Sequence, residues 1–361
     1  MPLFATLALG ASLFAGPISV SPFAPSTRIV GRFDSTASGA ILSWPGTGLQ
    51  VAFEGKACQM RVGSTGAVLG MVVDGVPTGN LDLVAPIADT LVTLAQYLKP
   101  GRHVVEFTKK TEAMVGSLTV KEILLEGIPS TLPQAARRRI EFLGNSITCG
   151  YGVLDSVKEH HFSPYSEDFT ASFAALSARA LGAEVQVVAY SGKGLSRNYG
   201  GGTDSTVPQL FSLAGFPPRS KPWNPSRWKP DAVVIDLGTN DFSQAPLPDS
   251  AHWEATWMDF LETIRKAHGD IPLVLVNGPM LSDNWPLDAK GKALPALSRV
   301  RQHLRNVALR AKTKGFASVS VVDLTPSSSE RGYGAVWHPS RSQQSLNASE
   351  LTRHLRALLG W

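Results

Sequence analysis

Apolar residues between positions 27 and 127 come in short runs that alternate with turn signals. Dipeptides such as Asp74-Gly75 and Pro100-Gly101 stand between the runs, as they do in the tight turns that join strands. No segment of this stretch repeats its apolar residues at helical spacing. The pattern therefore predicts an all-β domain over residues 26–128, an antiparallel sandwich of jelly-roll type. Its clearest predicted strands are residues 41–44, 49–53, 71–73, 104–107 and 118–125.

The pattern changes after a predicted linker at residues 129–139, which holds two prolines and three arginines. Beyond it, short apolar runs alternate with longer segments of helical periodicity, which favours a parallel sheet with helices on both faces. Residues 140–361 are therefore predicted to form an α/β domain, with Ser166 as the N-cap of its first long helix. The predicted strands are residues 140–143, 185–189, 232–237, 272–276 and 319–324, and the predicted helices are residues 166–181, 250–267, 294–312 and 348–359.

The composition fits a folded protein with substantial cores. The chain has 361 residues, 43% of them hydrophobic, which excludes an intrinsically disordered protein. Its net charge is only +5, and the largest basic cluster is the three arginines at 137–139, so no nucleic-acid partner is expected. The two cysteines, Cys58 and Cys149, are assigned to different domains, so neither a disulfide framework nor a structural zinc site is expected.

Residues 1–25 form a predicted leader segment. Its first part is apolar and rich in small residues, as a secretory segment is, although no Lys or Arg precedes Arg28 and no clear cleavage site follows. Gly10, Gly16 and Pro17 interrupt the apolar run too often for a membrane span. The sequence therefore favours a secreted or periplasmic protein without a membrane anchor.

Polar, Gly-rich sequence follows three of the predicted parallel strands, at residues 144–148, 191–194 and 238–241. A fourth polar segment, residues 337–340, precedes the last predicted helix. Because the carboxyl ends of parallel strands meet at one edge of a sheet, the first three segments are expected to lie side by side. That edge is the predicted site of the chemistry.

The residue types in these segments suit acyl transfer to a serine. Ser146 is the predicted nucleophile, and His338 is the predicted base that takes its proton. The backbone N–H groups of Ser146 and Gly192, together with the side-chain amide of Asn240, are the predicted oxyanion donors. Trp337 stands beside the predicted base, and a role in the substrate cleft competes with a role in packing. No cofactor and no metal ion are implied.

Several residues have simpler interpretations. Asp241 is expected to be structural and to bond nearby backbone N–H groups. The pair His160-His161 lacks a third ligand at metal-site spacing, so a solvated loop is expected. Cys149 is expected to be buried near the site without a reactive role. The sequence Gly-x-Ser-x-Gly is absent, which disfavours a nucleophile elbow of the α/β-hydrolase kind.

The four segments resemble the conserved blocks of the SGNH hydrolases, in the same order along the chain. The similarity is greater to carbohydrate esterase family 2, whose members join a jelly-roll domain to an SGNH domain. Asn145 stands where Asp is commoner in the nucleophile segment. The resemblance implies a flavodoxin-like three-layer SGNH domain and an O-acetyl esterase acting on plant polysaccharides such as acetylated xylan or glucomannan. It rests on residues 31–34 (GRFD), 43–46 (SWPG), 144–152 (GNSITCGYG), 191–194 (SGKG) and 197–198 (RN).

The chain departs from the SGNH pattern in one respect. That pattern places an Asp two or three residues before the histidine, but those positions hold Val336 and Ala335. A Ser-His dyad, with a main-chain carbonyl orienting the imidazole, is therefore predicted in place of a triad. Asp323, Glu330 and Glu350 are the late carboxylates that a triad would have to recruit instead.

Two other functions stay open from the sequence. The first is an SGNH lipase or thioesterase that takes a different acyl group, and the second is a carbohydrate-binding protein whose esterase site has decayed. The intact Ser146, Asn240 and His338 speak against decay. The expected partner is an acetylated polysaccharide or oligosaccharide, and nothing in the sequence indicates an oligomeric state.

Overall fold

The computed structural model describes residues 16–218 and 220–361, which form two sheets. The first sheet is antiparallel and has the strand order β3-β4-β10-β5-β9-β6-β7, with β1 paired to β10 and with β2 and β8 paired to β5. Its strands are β1 (Ile18–Val20), β2 (Thr27–Val30), β3 (Asp34–Thr36), β4 (Gly39–Leu42), β5 (Gly48–Ser64), β6 (Val68–Val73), β7 (Val76–Asp82), β8 (Ile87–Ala95), β9 (Arg102–Lys109) and β10 (Leu118–Pro129).

The core of this sheet follows from the alternation of apolar residues along its strands. In β10, Leu118, Val120, Ile123 and Leu125 are all buried, and an irregularity in the pairing with β5 after Val120 shifts the phase by one residue. The inward side chains of β5 and β9 complete the same apolar cluster. The predicted antiparallel β-domain is confirmed, and the jelly-roll order of its strands stays a prediction.

The start of the domain lies earlier than the sequence indicated. Strand β1 pairs antiparallel with β10 through Ile18, Ser19 and Val20, so this part of the predicted leader belongs to the folded sheet. Three residues of alternating apolar sequence carry too weak a signal to be distinguished from the apolar segment before them. The rest of the predicted leader, residues 1–15, lies outside the described residues.

The second sheet is parallel, with the strand order β12-β11-β13-β14-β15. This order is that of flavodoxin-like sheets, in which the site lies where the strand order reverses, here beside β11. The strands are β11 (Arg138–Gly144), β12 (Ala183–Ala189), β13 (Ala232–Asp236), β14 (Leu273–Asn277) and β15 (Val319–Asp323). The helices are α1 (Ser146–Cys149), α2 (Phe173–Leu181), α3 (Val207–Leu210), α4 (Ser250–His268), α5 (Ala296–Thr313) and α6 (Arg341–Leu359).

Helices cover both faces of this sheet, as predicted. Along β13, Val233 and Ile235 point into the cluster formed with α4 and α5, whereas Val234 points into the cluster formed with α2 and α6. Because both faces are buried, the strands are apolar at nearly every position. The predicted α/β fold of this domain is confirmed.

Two helix starts differ from their predictions. Helix α2 begins at Phe173, because residues 169–171 form a separate 3-10 turn capped by Asp168, and Ser172 rather than Ser166 is the N-cap. Helix α6 begins well before residue 348, with Ser340 as its N-cap. Its first turns bury polar side chains, including Gln343 and Gln344, so the apolar period that marks a helix is absent there.

Buried polar contacts join the two domains. Arg32 of the β-domain forms an ion pair of 2.6 Å with Glu141 of β11, and both side chains are fully buried. The indole N–H of Trp44 donates to the carbonyl of Ala214 at 3.1 Å. The connection between β10 and β11 is correspondingly short, at residues 130–137, within the predicted linker. Among the residues that the structure describes, no helix has the length and apolar character to cross a membrane.

Candidate active site

The turn after β11 fixes Ser146 at the carboxyl edge of the parallel sheet. Asn145 caps α1 by accepting the N–H of Ile147 at 2.9 Å, and its own amide donates to the carbonyl of Asp236 at 3.0 Å. A side chain at Gly144 would collide with Thr148, so the close turn requires glycine there. The arrangement places the Ser146 hydroxyl at the N-terminus of a short helix, beside the strand where the sheet order reverses.

His338 meets this serine from the other end of the chain. Its Nε2 lies 2.8 Å from the Ser146 Oγ, and its Nδ1 lies 3.0 Å from the carbonyl oxygen of Val336 and 3.2 Å from that of Ala335. Carbonyl oxygens only accept hydrogen bonds, so the imidazole proton belongs on Nδ1. The Nε2 atom is therefore left unprotonated and accepts from the serine hydroxyl.

Burial keeps this imidazole neutral. It lowers the pKa of His338 from its ordinary value of 6.5 to about 4, although the hydrogen bonds to the carbonyls of Val336 and Ala335 act in the opposite direction. The ring of Tyr151 packs against it with centroids 4.2 Å apart. At neutral pH the side chain is thus in the form that can take a proton from Ser146.

Two of the three late carboxylates, Asp323 and Glu350, have other partners, and the third, Glu330, is exposed. Asp323 accepts from the amide of Asn277 at 3.1 Å and pairs with the guanidinium groups of Arg301 and Arg305 at 3.2 and 3.4 Å. Glu350 accepts from the backbone N–H of Thr325 at 3.0 Å. Within residues 16–218 and 220–361, no carboxylate is hydrogen-bonded to His338.

The loops after β12 and β13 lie on either side of the Ser146 turn, because these strands flank β11 in the sheet. Gly192 adopts a φ of +78°, which favours glycine, and its carbonyl accepts from the N–H of Tyr199 at 2.8 Å. The amide of Asn240 donates to the carbonyl of Lys193 at 2.8 Å and so ties the two loops together. The segments that carry Ser146, Gly192 and Asn240 therefore share one edge.

Asp241 and Trp337 occupy different environments. Asp241 accepts the N–H groups of Leu195, Ser196 and Arg197 at 2.8 to 3.1 Å, which is the structural role predicted for it. Trp337 is 52% exposed, and the Lys158 ammonium lies 4.0 Å from the centroid of its ring. The tryptophan is available to a ligand at the surface beside His338, and it is not part of a core.

Two buried acids at this edge were missed in the sequence. Glu112, from the β-domain, accepts the N–H of Ser191 at 2.7 Å, and no local pattern links it to the catalytic segments. Asp236 ends β13, and burial raises its pKa to about 7, with a hydrogen bond from Thr148 acting against this rise. A carboxylate at the end of an otherwise apolar strand was a usable signal for Asp236.

Glu112, Cys149 and Glu167 are the described residues that come nearest to a metal-binding group, with ligand atoms within 4.8 Å of one another. Burial raises the pKa of Cys149 well above its ordinary value, so the thiol stays protonated and unsuited to a metal. The nearby Lys109 ammonium already supplies positive charge and donates to the carbonyl of Glu112 at 3.0 Å. The group does not fit a metal centre, and His160 lies in an exposed loop next to Asp155.

Two known protein families together match most of the chain. Residues 29–133 match the family described as carbohydrate esterase 2 N-terminal. Residues 142–346 match the GDSL-like lipase/acylhydrolase family. The two matches coincide with the antiparallel and the parallel sheet.

Individual relatives agree with the family matches. The chain is 31% identical over 340 residues to the cellulase/esterase CelE of Acetivibrio thermocellus, and this match covers 93% of the chain but only 40% of CelE. It is 27% identical over 358 residues to an acetylxylan esterase/glucomannan deacetylase of Cellvibrio japonicus, covering 97% of the chain and 94% of that protein.

A solved structure extends the agreement to three dimensions. A family two carbohydrate esterase from Clostridium thermocellum, in complex with cellohexaose, superposes with a TM-score of 0.85 at 30% identity. The superposition covers 93% of this chain and 99% of that one. Together with the two family matches, this similarity shows that the chain belongs to carbohydrate esterase family 2, with its α/β domain in the GDSL-like (SGNH) hydrolases.

Proposed function

We propose that this protein is a serine esterase that removes acetyl groups from acetylated plant polysaccharides such as xylan or glucomannan. The observation that carries the proposal is the 2.8 Å contact between the Ser146 Oγ and the unprotonated Nε2 of His338. A neutral base bonded to a serine hydroxyl is the arrangement that acyl transfer requires.

The reaction proceeds in two steps. His338 takes the proton as the Ser146 Oγ attacks the acetyl carbonyl, and the oxyanion is stabilised by the N–H groups of Ser146 and Gly192 and the amide of Asn240. The imidazolium then gives its proton to the departing sugar oxygen, which leaves an acetyl-serine. Water, activated in turn by His338, attacks this ester and releases acetate. No metal or cofactor takes part.

The imidazole is oriented by main-chain carbonyls in this proposal, so the active centre is a dyad. The carbonyls of Val336 and Ala335 fix the tautomer without adding a negative charge. A neutral partner gives the imidazolium less electrostatic support than a carboxylate would.

The substrate class is inferred from the relatives. The Cellvibrio japonicus relative is named for acetylxylan and glucomannan, and the Clostridium thermocellum structure contains cellohexaose. Trp337, exposed beside His338, offers a flat apolar face on which a sugar ring can stack. Because polysaccharides of this kind lie outside cells, we also infer that the protein is exported.

On the acid side, the activity should depend on the protonation of His338. Protonated His338 cannot accept the serine proton, so kcat/KM should rise with pH through about 4 and reach a plateau by about pH 6. Initial rates on an aryl acetate between about pH 4 and 8, corrected for enzyme stability, measure this limb. A midpoint at or above the ordinary histidine value of 6.5 would contradict the environment described for the base.

Replacing Asp323 by asparagine tests the dyad. We expect Asp323→Asn to lower kcat far less than the roughly 10⁴-fold that amidation of a triad aspartate costs, because its oxygens face Asn277, Arg301 and Arg305. The measurement is kcat on an aryl acetate, with circular dichroism as the check on folding. A loss of the larger size in a folded variant would restore the triad.

Acetate release from acetylated xylan and acetylated glucomannan tests the function itself. An acetyl esterase should release acetate from at least one of them and should turn over aryl acetates faster than aryl esters of long acyl chains. Turnover confined to long acyl chains or to thioesters would favour a lipase or thioesterase. Sugar binding without any ester hydrolysis would favour a carbohydrate-binding protein with a decayed site.

A further inference from the structure

We propose that Glu112, a residue of the β-domain, is a positioning residue for the loop that supplies the Gly192 oxyanion donor. The inference rests on the proposed function, since it assigns a role within the same acyl-transfer site. It makes the N-terminal domain a part of the catalytic apparatus as well as a neighbour of it.

The contact is made directly before the donor. One oxygen of the Glu112 carboxylate accepts the backbone N–H of Ser191 at 2.7 Å, and the other accepts the Ser191 hydroxyl in a shorter contact. Ser191 immediately precedes Gly192, whose N–H belongs to the peptide that joins the two residues. Two bonds from one carboxylate therefore fix the residue on which the direction of that N–H depends.

The next peptide, which joins Gly192 to Lys193, is also held in place. The carbonyl of Gly192 accepts from the N–H of Tyr199 at 2.8 Å, and the N–H of Lys193 donates to the carbonyl of Tyr190 at 3.2 Å. Glycine has no side chain to restrict its backbone, and Gly192 adopts a φ of +78°. Such a residue keeps one orientation only if its neighbours are fixed, and Glu112 fixes the preceding one.

Glu112 is itself rigidly placed. Its side chain is fully buried, its N–H donates to the carboxylate of Glu167 at 3.0 Å, and its carbonyl accepts from the Lys109 ammonium at 3.0 Å. Glu167 belongs to the α/β domain, so Glu112 is held by residues of both domains. Hydrogen bonds to a buried carboxylate are strong because little water competes for it.

Domain attachment does not depend on this contact. Arg32 pairs with Glu141, and the indole of Trp44 donates to the carbonyl of Ala214, across the same interface. Asp34, another buried carboxylate of the β-domain, accepts the backbone N–H of Lys221 at 3.0 Å. Asp34 has the same kind of contact across the interface as Glu112, but its partner is Lys221 and not a residue of the Gly192 loop, and this makes it the matched control.

The test compares Glu112→Ala, Glu112→Gln and Asp34→Asn for kcat and KM on an aryl acetate. We expect Glu112→Ala to lower kcat by about 10- to 100-fold with KM nearly unchanged, because the donor is displaced and not removed. Glu112→Gln should recover part of the rate, since its carbonyl oxygen can still accept the Ser191 N–H. Asp34→Asn should keep the wild-type kcat even if it lowers the melting temperature.

A readout that needs no substrate separates this proposal from the proposed function. The rate at which a fluorophosphonate labels Ser146 also depends on the oxyanion donors, and it should fall in the same order among the variants. If acetyl esters are not turned over but labelling is slowed in the Glu112 variants, the acetyl esterase assignment fails and the positioning role stands. Wild-type kcat and labelling in folded Glu112→Gln and Glu112→Ala overturn the positioning role. An equal loss of kcat in Asp34→Asn overturns it too. If Glu112→Ala fails to fold, the folded Glu112→Gln decides alone.

Discussion

Replacing Ser146 by alanine is expected to abolish turnover while leaving the fold and sugar binding intact. In the proposed mechanism the serine hydroxyl attacks the acetyl carbonyl, so only the catalysis that the oxyanion donors supply should remain, a loss of about 10³-fold or more in kcat. Folding should survive, because Asn145 makes the cap of α1 and, among the described residues, the hydroxyl of Ser146 has only His338 as a hydrogen-bond partner.

Acetate release and aryl acetate hydrolysis measure this loss, and binding of a xylo-oligosaccharide checks that the cleft is intact. Ser177→Ala is the matched control, because Ser177 is also a buried serine of the α/β domain, and its hydroxyl donates to the carbonyl of Ala348. The control should keep the wild-type rate. A near-normal rate in Ser146→Ala would show that another residue is the nucleophile and would remove the basis of the proposed function.

Much of the fold could be predicted from the sequence because buried parallel strands are apolar at most positions. The five strand segments of the α/β domain differ from their predictions by no more than a few residues at the ends. In the β-domain, the turn dipeptides between short apolar runs were the local signal that predicted an antiparallel sheet. Local composition is sufficient to locate such elements, because a short apolar run is buried inside the sheet even though its pairing partners are distant in the chain.

Helix starts were harder because distant partners decide them. Gln344, in the first turns of α6, accepts the N–H of Phe173 at 2.8 Å and donates to the carbonyl of Ile147 at 3.0 Å. These bonds satisfy a polar side chain in the core, where a sequence pattern expects an apolar one. The start of α6 is thus stabilised by contacts that only the folded chain contains.

The residues of the site also fall into two groups, those that the sequence could predict and those that depend on the folded chain. Ser146 and His338 could be paired from motif order alone, and the structure brings them into contact. The carbonyls that orient the imidazole could not be located, because Val336 and Trp337 adopt φ values of +52° and +61°, which are rare for residues with a side chain. Contacts in the folded protein hold the backbone in such a strained conformation, and the residue types at these positions do not predict it. The contact of Glu112 with the site could not be predicted for a related reason, because Glu112 belongs to the other domain.

The second large prediction concerns Asn240, whose amide has a loop contact in addition to its proposed role as an oxyanion donor. An Asn amide carries two N–H bonds, and one of them is donated to the carbonyl of Lys193 at 2.8 Å. In the proposed mechanism the other N–H is donated to the oxyanion. Removing the side chain therefore deletes a donor and also unties the loop after β13 from the loop that holds Gly192, and a control must separate these two effects.

Asn240→Ala is expected to lower kcat by about 10²–10³-fold with little change in KM, because the proposed bond of its amide is strongest to the charge that develops in the transition state. The measurement is kcat and KM on an aryl acetate.

Asn198→Ala is the control for loop order. Asn198 accepts the N–H of Gly194 at 3.1 Å and donates to the carbonyl of Asp204 at 2.6 Å, so its removal loosens the same loop without deleting an oxyanion donor. Its loss in kcat should be distinctly smaller. Equal losses in the two variants would make Asn240 a loop support, and an effect of Asn240→Ala confined to KM would make it a ground-state contact to the sugar.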